Sequence, residues 1–239
     1  MELLFDLEYG VMVACDVDTI EKFRSIIKET SSVEGIVGYK IGFSLGLTYG
    51  LARLTKIAKE YSDLPVIYDH QKAGTDIPQM GKVFAEVCHK GGVTGVIVFP
   101  QAGPETEKAF IAALFEKGLV PLVGGEMTHP GYLASEKGYI REDAPQDMYR
   151  LAATTGVTYF IIPGNKPHII TKYHDLISGL TTEAKYCMPG IGRQGGDITS
   201  TFKAVPGSSA YAIIGSAIYA QPDIHKAAKE YCKEALNFG

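Results

Sequence analysis

The sequence has few cysteines, no long apolar run and no block of like charges, and each of these absences excludes a class of protein. The four cysteines, Cys15, Cys88, Cys187 and Cys232, form neither a CxxC pair nor a metal-ligand spacing. We therefore expect reduced, buried thiols in a cytoplasmic protein and no zinc site. No apolar run approaches the roughly 18 residues of a membrane span. The segment Met1–Gly10 lacks a basic stretch before an apolar one, which argues against a secretory signal.

The charge balance excludes another group of partners. The net charge is −4, and no block of like charges interrupts the chain. This pattern predicts neither a nucleic-acid surface nor an electrostatic membrane anchor. With 239 residues, of which 46% are hydrophobic and 21% charged, the chain is long enough for a sizeable core. We expect one domain over residues 1–239, because closed α/β barrels commonly have this length.

Short β-rich runs recur along the chain and predict eight strands. They are Gly10–Cys15, Gly35–Ile41, Pro65–Tyr68, Gly95–Phe99, Leu119–Val123, Thr158–Ile162, Ala184–Met188 and Ala210–Ile214. Segments with helical periodicity separate most of them, for example Ile20–Lys28, Leu51–Tyr61, Thr106–Lys117 and Gln146–Thr155. The strands are continuous apolar runs, as in a parallel sheet buried on both faces. The sequence therefore predicts an α/β fold, the (β/α)₈ TIM barrel.

Polar residues follow several predicted strands, and active sites of such barrels lie at these carboxyl ends. They are Asp16, Lys40, Asp69 with Lys72 and Asp76, Glu126–Pro130, Pro189–Asp197 and Gly215–Ser216. Asp69, Lys72 and Asp76 taken alone could cap a turn or face solvent. A second lysine, Lys40, at the end of another strand favours proton and charge chemistry.

Two loops at the end of the barrel predict a phosphate site. Pro189–Asp197 is rich in glycine and follows the seventh strand, and Gly215–Ser216 follows the eighth. Glycines let backbone amides approach an anion closely, and a helix starting near Ala217 or Ile218 adds partial positive charge. The alternative is that the glycines only turn the chain.

In their order along the chain, these motifs resemble the orotidine 5′-monophosphate decarboxylase family over nearly the whole sequence. The motifs are Ala14-Cys15-Asp16, Tyr39-Lys40-Ile41-Gly42, Asp69 with Lys72 and Asp76-Ile77-Pro78, Glu126–Gly131 and Pro189–Asp197. The resemblance implies removal of CO₂ from orotidine 5′-monophosphate to give UMP, the last step of de novo pyrimidine nucleotide synthesis. It implies neither a metal nor another cofactor.

The resemblance also implies residue roles. Asp69 would destabilise the substrate carboxylate, Lys72 would stabilise and protonate the carbanion at carbon 6, and Lys40 would keep Asp69 ionised. Asp76 would reach the neighbouring site of a homodimer. Substrate contacts are implied for Asp16 with the ribose, Thr128 and Gln194 with the pyrimidine, and Pro189, Arg193, Gly195, Gly215 and Ser216 around the phosphate.

Two positions depart from the family pattern. The signature Asp69-x-x-Lys72-x-x-x-Asp76 is one residue longer on each side of the lysine, so the loop must bulge if the family geometry is kept. Ser216 stands where the family usually has an arginine, and Arg193 is the candidate replacement as a phosphate clamp.

Two other functions stay open at this point. A magnesium-dependent sugar-phosphate decarboxylase or aldolase of the same suprafamily would share the Asp-Lys-Asp signature. It would place a glutamate, as a metal ligand, where this chain has Lys40. A barrel that binds a nucleotide or phosphate without turning it over is favoured by the altered spacing and by Ser216. The retention of Lys40, Asp69, Lys72 and Asp76 favours the decarboxylase.

Overall fold

Eight parallel strands close into a barrel in the computed structural model, which describes residues 3–70 and 74–238. The strands are β1 (Tyr9–Cys15), β2 (Ile36–Gly42), β3 (Val66–Asp69), β4 (Gly95–Val98), β5 (Val120–Gly124), β6 (Tyr159–Ile161), β7 (Lys185–Pro189) and β8 (Ser209–Ile214). Each strand pairs with its neighbours in the chain, and β8 pairs with β1 to close the ring. The predicted TIM barrel is confirmed, and each strand lies close to its predicted range.

Helices follow the strands and cover the outside of the barrel. They are α1 (Ile20–Thr30), α2 (Phe43–Tyr49), α3 (Leu51–Lys59), α4 (Met80–Lys90), α5 (Pro104–Glu116), α6 (Ala144–Thr154), α7 (Pro167–Ser178), α8 (Ile198–Lys203), α9 (Ser216–Tyr219) and α10 (Ile224–Leu236). Capping side chains determine where several of these helices begin. The side chains of Thr19, Asp197 and Asp223 accept hydrogen bonds from backbone amides in the first turns of α1, α8 and α10.

The hydrophobic core has two layers. The larger layer lies between the strands and the helices, and the smaller one fills the barrel interior. Leu4 and Phe5 close the amino end of the interior, where the Leu4 amide donates to the Tyr159 hydroxyl (3.0 Å) and the Phe5 ring packs against Tyr159 and Tyr211. The opposite end, at the carboxyl ends of the strands, is left for polar residues.

The cysteines are buried and unpaired, as the sequence predicts. Burial raises the pKa of the Cys88 and Cys232 thiols to about 12, so both stay protonated near neutral pH. Within residues 3–70 and 74–238, no helix combines the length and apolar character that a bilayer crossing requires.

Candidate active site

Three adjacent strands bring a lysine between two aspartates at the carboxyl end of the barrel. Lys40 is on β2, Asp69 ends β3 and Asp16 follows β1. The Lys40 Nζ lies 2.9 Å from Asp16 Oδ1 and 2.8 Å from Asp69 Oδ2. Gly42 makes room for this group, because a Cβ atom at Gly42 would lie 2.8 Å from Asp16 Oδ1.

This cluster has a fixed charge pattern. Lys40 and Asp69 are buried, whereas the side chain of Asp16 is 50% exposed. Burial disfavours the charged lysine, but the carboxylates of Asp69 and Asp16 outweigh it and raise the pKa of Lys40 above its ordinary value. Two carboxylates and one ammonium leave the cluster with one net negative charge. Asp69 Oδ1 is buried and has no hydrogen-bond partner among the described residues, so it is open to a further group.

A cavity of about 230 Å³ adjoins the cluster and collects most of the residues predicted from the sequence. Besides Lys40 and the two aspartates, the predicted residues in its lining are Thr128, Pro189, Arg193, Gln194, Gly215 and Ser216. Because they come from the ends of β5, β7 and β8, one pocket joins the charged cluster to the predicted base and phosphate loops.

Two predicted site residues, Gly195 and Asp76, lie outside this lining, and a third, Lys72, is not among the described residues. Lys72 falls outside the described residues, so its role and the path of the lengthened signature stay predictions. Gly195 is exposed in a turn with a φ of 90° and is not in the cavity lining. Asp76 lies at the edge of a neighbouring groove, where its backbone oxygen accepts from Thr106 Oγ1 (2.8 Å).

The loop after β7 is folded by its glycines. Gly190, Gly192 and Gly195 have φ values of 98°, 84° and 90°, and the Gly192 amide donates to the Gly196 oxygen (2.9 Å). A Cβ atom at Gly192 would lie 2.8 Å from the Cβ of Ala217, so the loop packs directly on the start of α9. Arg193 and Ser216 therefore share one wall of the cavity.

The predicted helix after β8 is present, starting at Ser216, but it is short. The sequence suggested a helix from Ala217 or Ile218 whose amino end would add positive charge. The structure has a single turn at Ser216–Tyr219 and a longer helix only from Ile224. Because a macrodipole needs an extended row of aligned peptides, α9 itself contributes little of this charge.

The loop after β5 is held by an ion pair between Glu126, which the sequence analysis placed in the β5 loop motif, and Lys166, which it missed. Glu126 is 3% exposed and accepts hydrogen bonds from Lys166 Nζ (2.9 Å) and from the Tyr173 hydroxyl. Burial, followed by the bond to Glu126, raises the pKa of Tyr173, which therefore remains a hydrogen-bond donor. Lys166 lies in the connection after β6, immediately before α7, and its place after a strand end was the available signal.

The described side chains that could bind a metal ion are not grouped into a site. Among residues 3–70 and 74–238, no group of three His, Cys, Asp or Glu side chains is arranged to hold an ion. The Lys40 ammonium already lies between the two carboxylates. The His70 Nδ1 lies 2.9 Å from the Tyr68 hydroxyl, and its ring packs edge-on to Phe84. These contacts hold the His70 ring between Tyr68 on β3 and Phe84 on α4.

Several proteins with similar sequences are orotidine 5′-phosphate decarboxylases. The family model for the orotidine 5′-phosphate decarboxylase / HUMPS family matches residues 10–231. An orotidine 5′-phosphate decarboxylase of Methanococcus maripaludis is 32% identical over 221 residues, which cover 92% of this chain and 94% of the relative. One from Pyrococcus abyssi is 29% identical over 224 residues, covering 94% and 98%.

Solved structures show the same fold. The orotidine 5′-phosphate decarboxylase of Pyrococcus horikoshii has a TM-score of 0.78 and 27% identity, covering 95% of this chain and 99% of the other. The orotidine 5′-monophosphate decarboxylase of Methanocaldococcus jannaschii, in complex with the inhibitor BMP, has a TM-score of 0.81 and 23% identity, covering 95% and 98%.

Proposed function

Since this chain belongs to the orotidine 5′-phosphate decarboxylase / HUMPS family, we propose that it converts orotidine 5′-monophosphate into UMP and CO₂ without a cofactor. The observation that carries the proposal is the buried Asp16–Lys40–Asp69 cluster beside a cavity with candidate base and phosphate loops. We further propose that the chain is a single catalytic domain and acts in the cytoplasm, which suits its reduced cysteines.

In this proposal, Asp69 repels the carboxylate of the substrate and so favours the loss of CO₂. Its buried carboxylate would face the carboxylate of the substrate, and the Lys40 Nζ donates to it at 2.8 Å. Two like charges about 4 Å apart repel by roughly 4 kcal/mol at an effective dielectric constant near 20. Much of this repulsion is lost as CO₂ leaves, so the transition state is favoured over the bound substrate.

Lys72 completes the chemistry. Loss of CO₂ leaves an electron pair on carbon 6, and a lysine ammonium there would stabilise this carbanion and then donate its proton to the same carbon. Asp69 Oδ1, which has no hydrogen-bond partner among the described residues, supports the assignment, because it offers an acceptor to a cation in the cavity.

The substrate contacts are assigned according to the loop that carries each residue. Asp16 is assigned to the ribose, Thr128 and Gln194 to the pyrimidine, and Arg193 to the phosphate together with Pro189, Gly195, Gly215 and Ser216. The shared wall of Arg193 and Ser216 supports Arg193 as the cation that replaces the family arginine. Closure of the β7 loop over the nucleotide would apply phosphate binding energy to the reaction at the base.

A homodimer is proposed from an exposed apolar face. Side chains on α2, on α4 and just before α4 leave large apolar groups in solvent, namely Phe43, Leu47, Ile77, Met80, Val83 and Val87. A groove of about 920 Å³ runs along this face, and Asp76 lines it. An exposed apolar surface of this kind is typical of a subunit interface. A second copy docked there would bring Asp76 to its neighbour's site.

The proposed activity is tested with purified protein, orotidine 5′-monophosphate and EDTA, with the absorbance of the pyrimidine as the readout. We expect turnover that survives EDTA and falls at least about a thousandfold in Lys72→Ala, because the variant loses both the carbanion's counter-charge and its proton donor. The control is Lys82→Ala, which alters an exposed lysine on α4.

Other outcomes would redirect the proposal. Activity that disappears with EDTA would indicate the magnesium-dependent sugar-phosphate chemistry. A folded protein that binds UMP but does not turn over substrate would indicate a nucleotide-binding barrel.

A further inference from the structure

Tyr132 closes the loop that follows β5. Its side chain is buried, and its hydroxyl donates to the Gly125 oxygen at 2.8 Å. The same hydroxyl accepts from Gln101 Nε2 at 3.1 Å. The segment Gly125–Tyr132 is therefore tied back to its own first residue and to the loop after β4.

Further contacts hold the same segment from the side of α7. Asn165 Nδ2 donates to the Thr128 oxygen (3.2 Å), near the middle of the segment. The Lys166 Nζ lies 2.9 Å from Glu126 Oε1 and 3.7 Å from Glu136 Oε1. The Tyr132 amide donates to Glu136 Oε2 (3.1 Å). The segment thus has contacts at its start, middle and end.

Met127 and Thr128 are the residues that these contacts hold in place. Both line the cavity beside Lys40 and Asp69. A loop that is already ordered before the ligand arrives does not lose conformational entropy on binding, so its contacts contribute more fully to affinity. A freely moving loop at this position would weaken binding of the group it touches.

We propose that Tyr132 is a positioning residue for the nucleotide base. Its hydroxyl presets the segment Gly125–Tyr132 so that Met127 and Thr128 meet the pyrimidine, while the phosphate is bound elsewhere by the β7 and β8 loops. The inference rests on the proposed function, in which the cavity holds a pyrimidine nucleotide. It assigns Tyr132 no contact with the substrate.

Tyr132→Phe separates positioning from packing, because it removes both hydroxyl hydrogen bonds and keeps the ring. The probes are UMP and ribose 5-phosphate, whose dissociation constants are measured by calorimetry. We expect about a five- to tenfold weaker affinity for UMP, as for the loss of one or two buried hydrogen bonds, and unchanged affinity for ribose 5-phosphate. In turnover, KM should rise with little change in kcat.

The matched control is Tyr139→Phe, which removes a hydroxyl from the same connection between β5 and α6. Tyr139 is fully exposed, at 104% of its reference area, so this variant should bind both probes like the unaltered protein. A melting curve of each variant shows whether folding is intact. If Tyr132→Phe does not fold, Gln101→Ala tests the same hydroxyl and should weaken UMP binding about twofold to threefold relative to ribose 5-phosphate.

The outcomes are distinct. If the unaltered protein does not bind UMP, the proposed function fails. If it binds UMP and the folded variants keep its preference for UMP over ribose 5-phosphate, the positioning role of Tyr132 is refuted, even if their melting temperatures fall.

Discussion

Lys40 shows how a single side chain can be both buried and charged. An isolated ammonium inside a protein is costly, and two carboxylates within 3 Å offset that cost. The lysine and both aspartates were identified from the sequence because each ends a strand run in a fold that gathers strand ends. The hydrogen bonds between them depend on the closure of the barrel, which no local pattern encodes.

The role of a second residue, Arg193, can be tested by a single substitution. We expect Arg193→Ala to raise KM for orotidine 5′-monophosphate by about tenfold to a hundredfold, because a charge-assisted contact with the phosphate contributes about 1.5–3 kcal/mol. Steady-state kinetics check this expectation. Arg150→Ala is the control, since Arg150 is an exposed arginine that pairs with Asp147 on α6. An unchanged KM for Arg193→Ala would remove Arg193 from the phosphate site.

Glu107 on α5 makes the stability of the folded protein depend on pH. It is 2% exposed, its Oε1 has no hydrogen-bond partner among the described residues, and burial raises its pKa to about 8. The folded protein therefore holds a proton that the unfolded chain releases near pH 4.5. Stability is lost as the pH rises through this interval and levels off above about pH 8.

Glu107→Gln should remove this dependence, because the glutamine is neutral at every pH. Between pH 5 and 9 we expect the free energy of unfolding of the unaltered protein to fall by on the order of 3 kcal/mol relative to the variant. Denaturant titrations at several pH values measure it. Parallel curves for the two proteins across this range would contradict the assignment of a buried proton to Glu107.

The elements themselves were largely predictable, and the connections were less so. Runs such as Gly95–Phe99 are short, apolar and bounded by turns, which specifies a buried strand. The connection from Tyr132 to Asp143 gave no periodic signal. It contains a short 3₁₀ helix at Ala134–Glu136 and a bridge between Leu133 and Ile140. The conformation of this connection is set by individual hydrogen bonds, such as that from the Tyr132 hydroxyl to the Gly125 oxygen. Such bonds leave no periodic pattern in the sequence.

At the scale of the whole molecule, the proposed dimer makes its sites interdependent. Lys72→Ala and Asp76→Ala should each be nearly inactive alone. Mixed by unfolding and refolding, they should recover about a quarter of the native activity, because half of the dimers are mixed and each mixed dimer has one intact site. Activity assays and the molecular mass in solution measure both. No recovery from a sample that contains mixed dimers would place Asp76 in its own subunit's site.

The filled amino end of the barrel affects how substrate and products reach and leave the cavity. Leu4 and Phe5 pack beneath Tyr159 and Tyr211, so the described barrel offers no passage along its axis. Among the described residues, the opening of the cavity lies at the other end of the barrel, between the loops that follow the strands. In the proposed reaction, UMP and CO₂ would both leave through this mouth, so the timing of loop opening would govern the departure of both products.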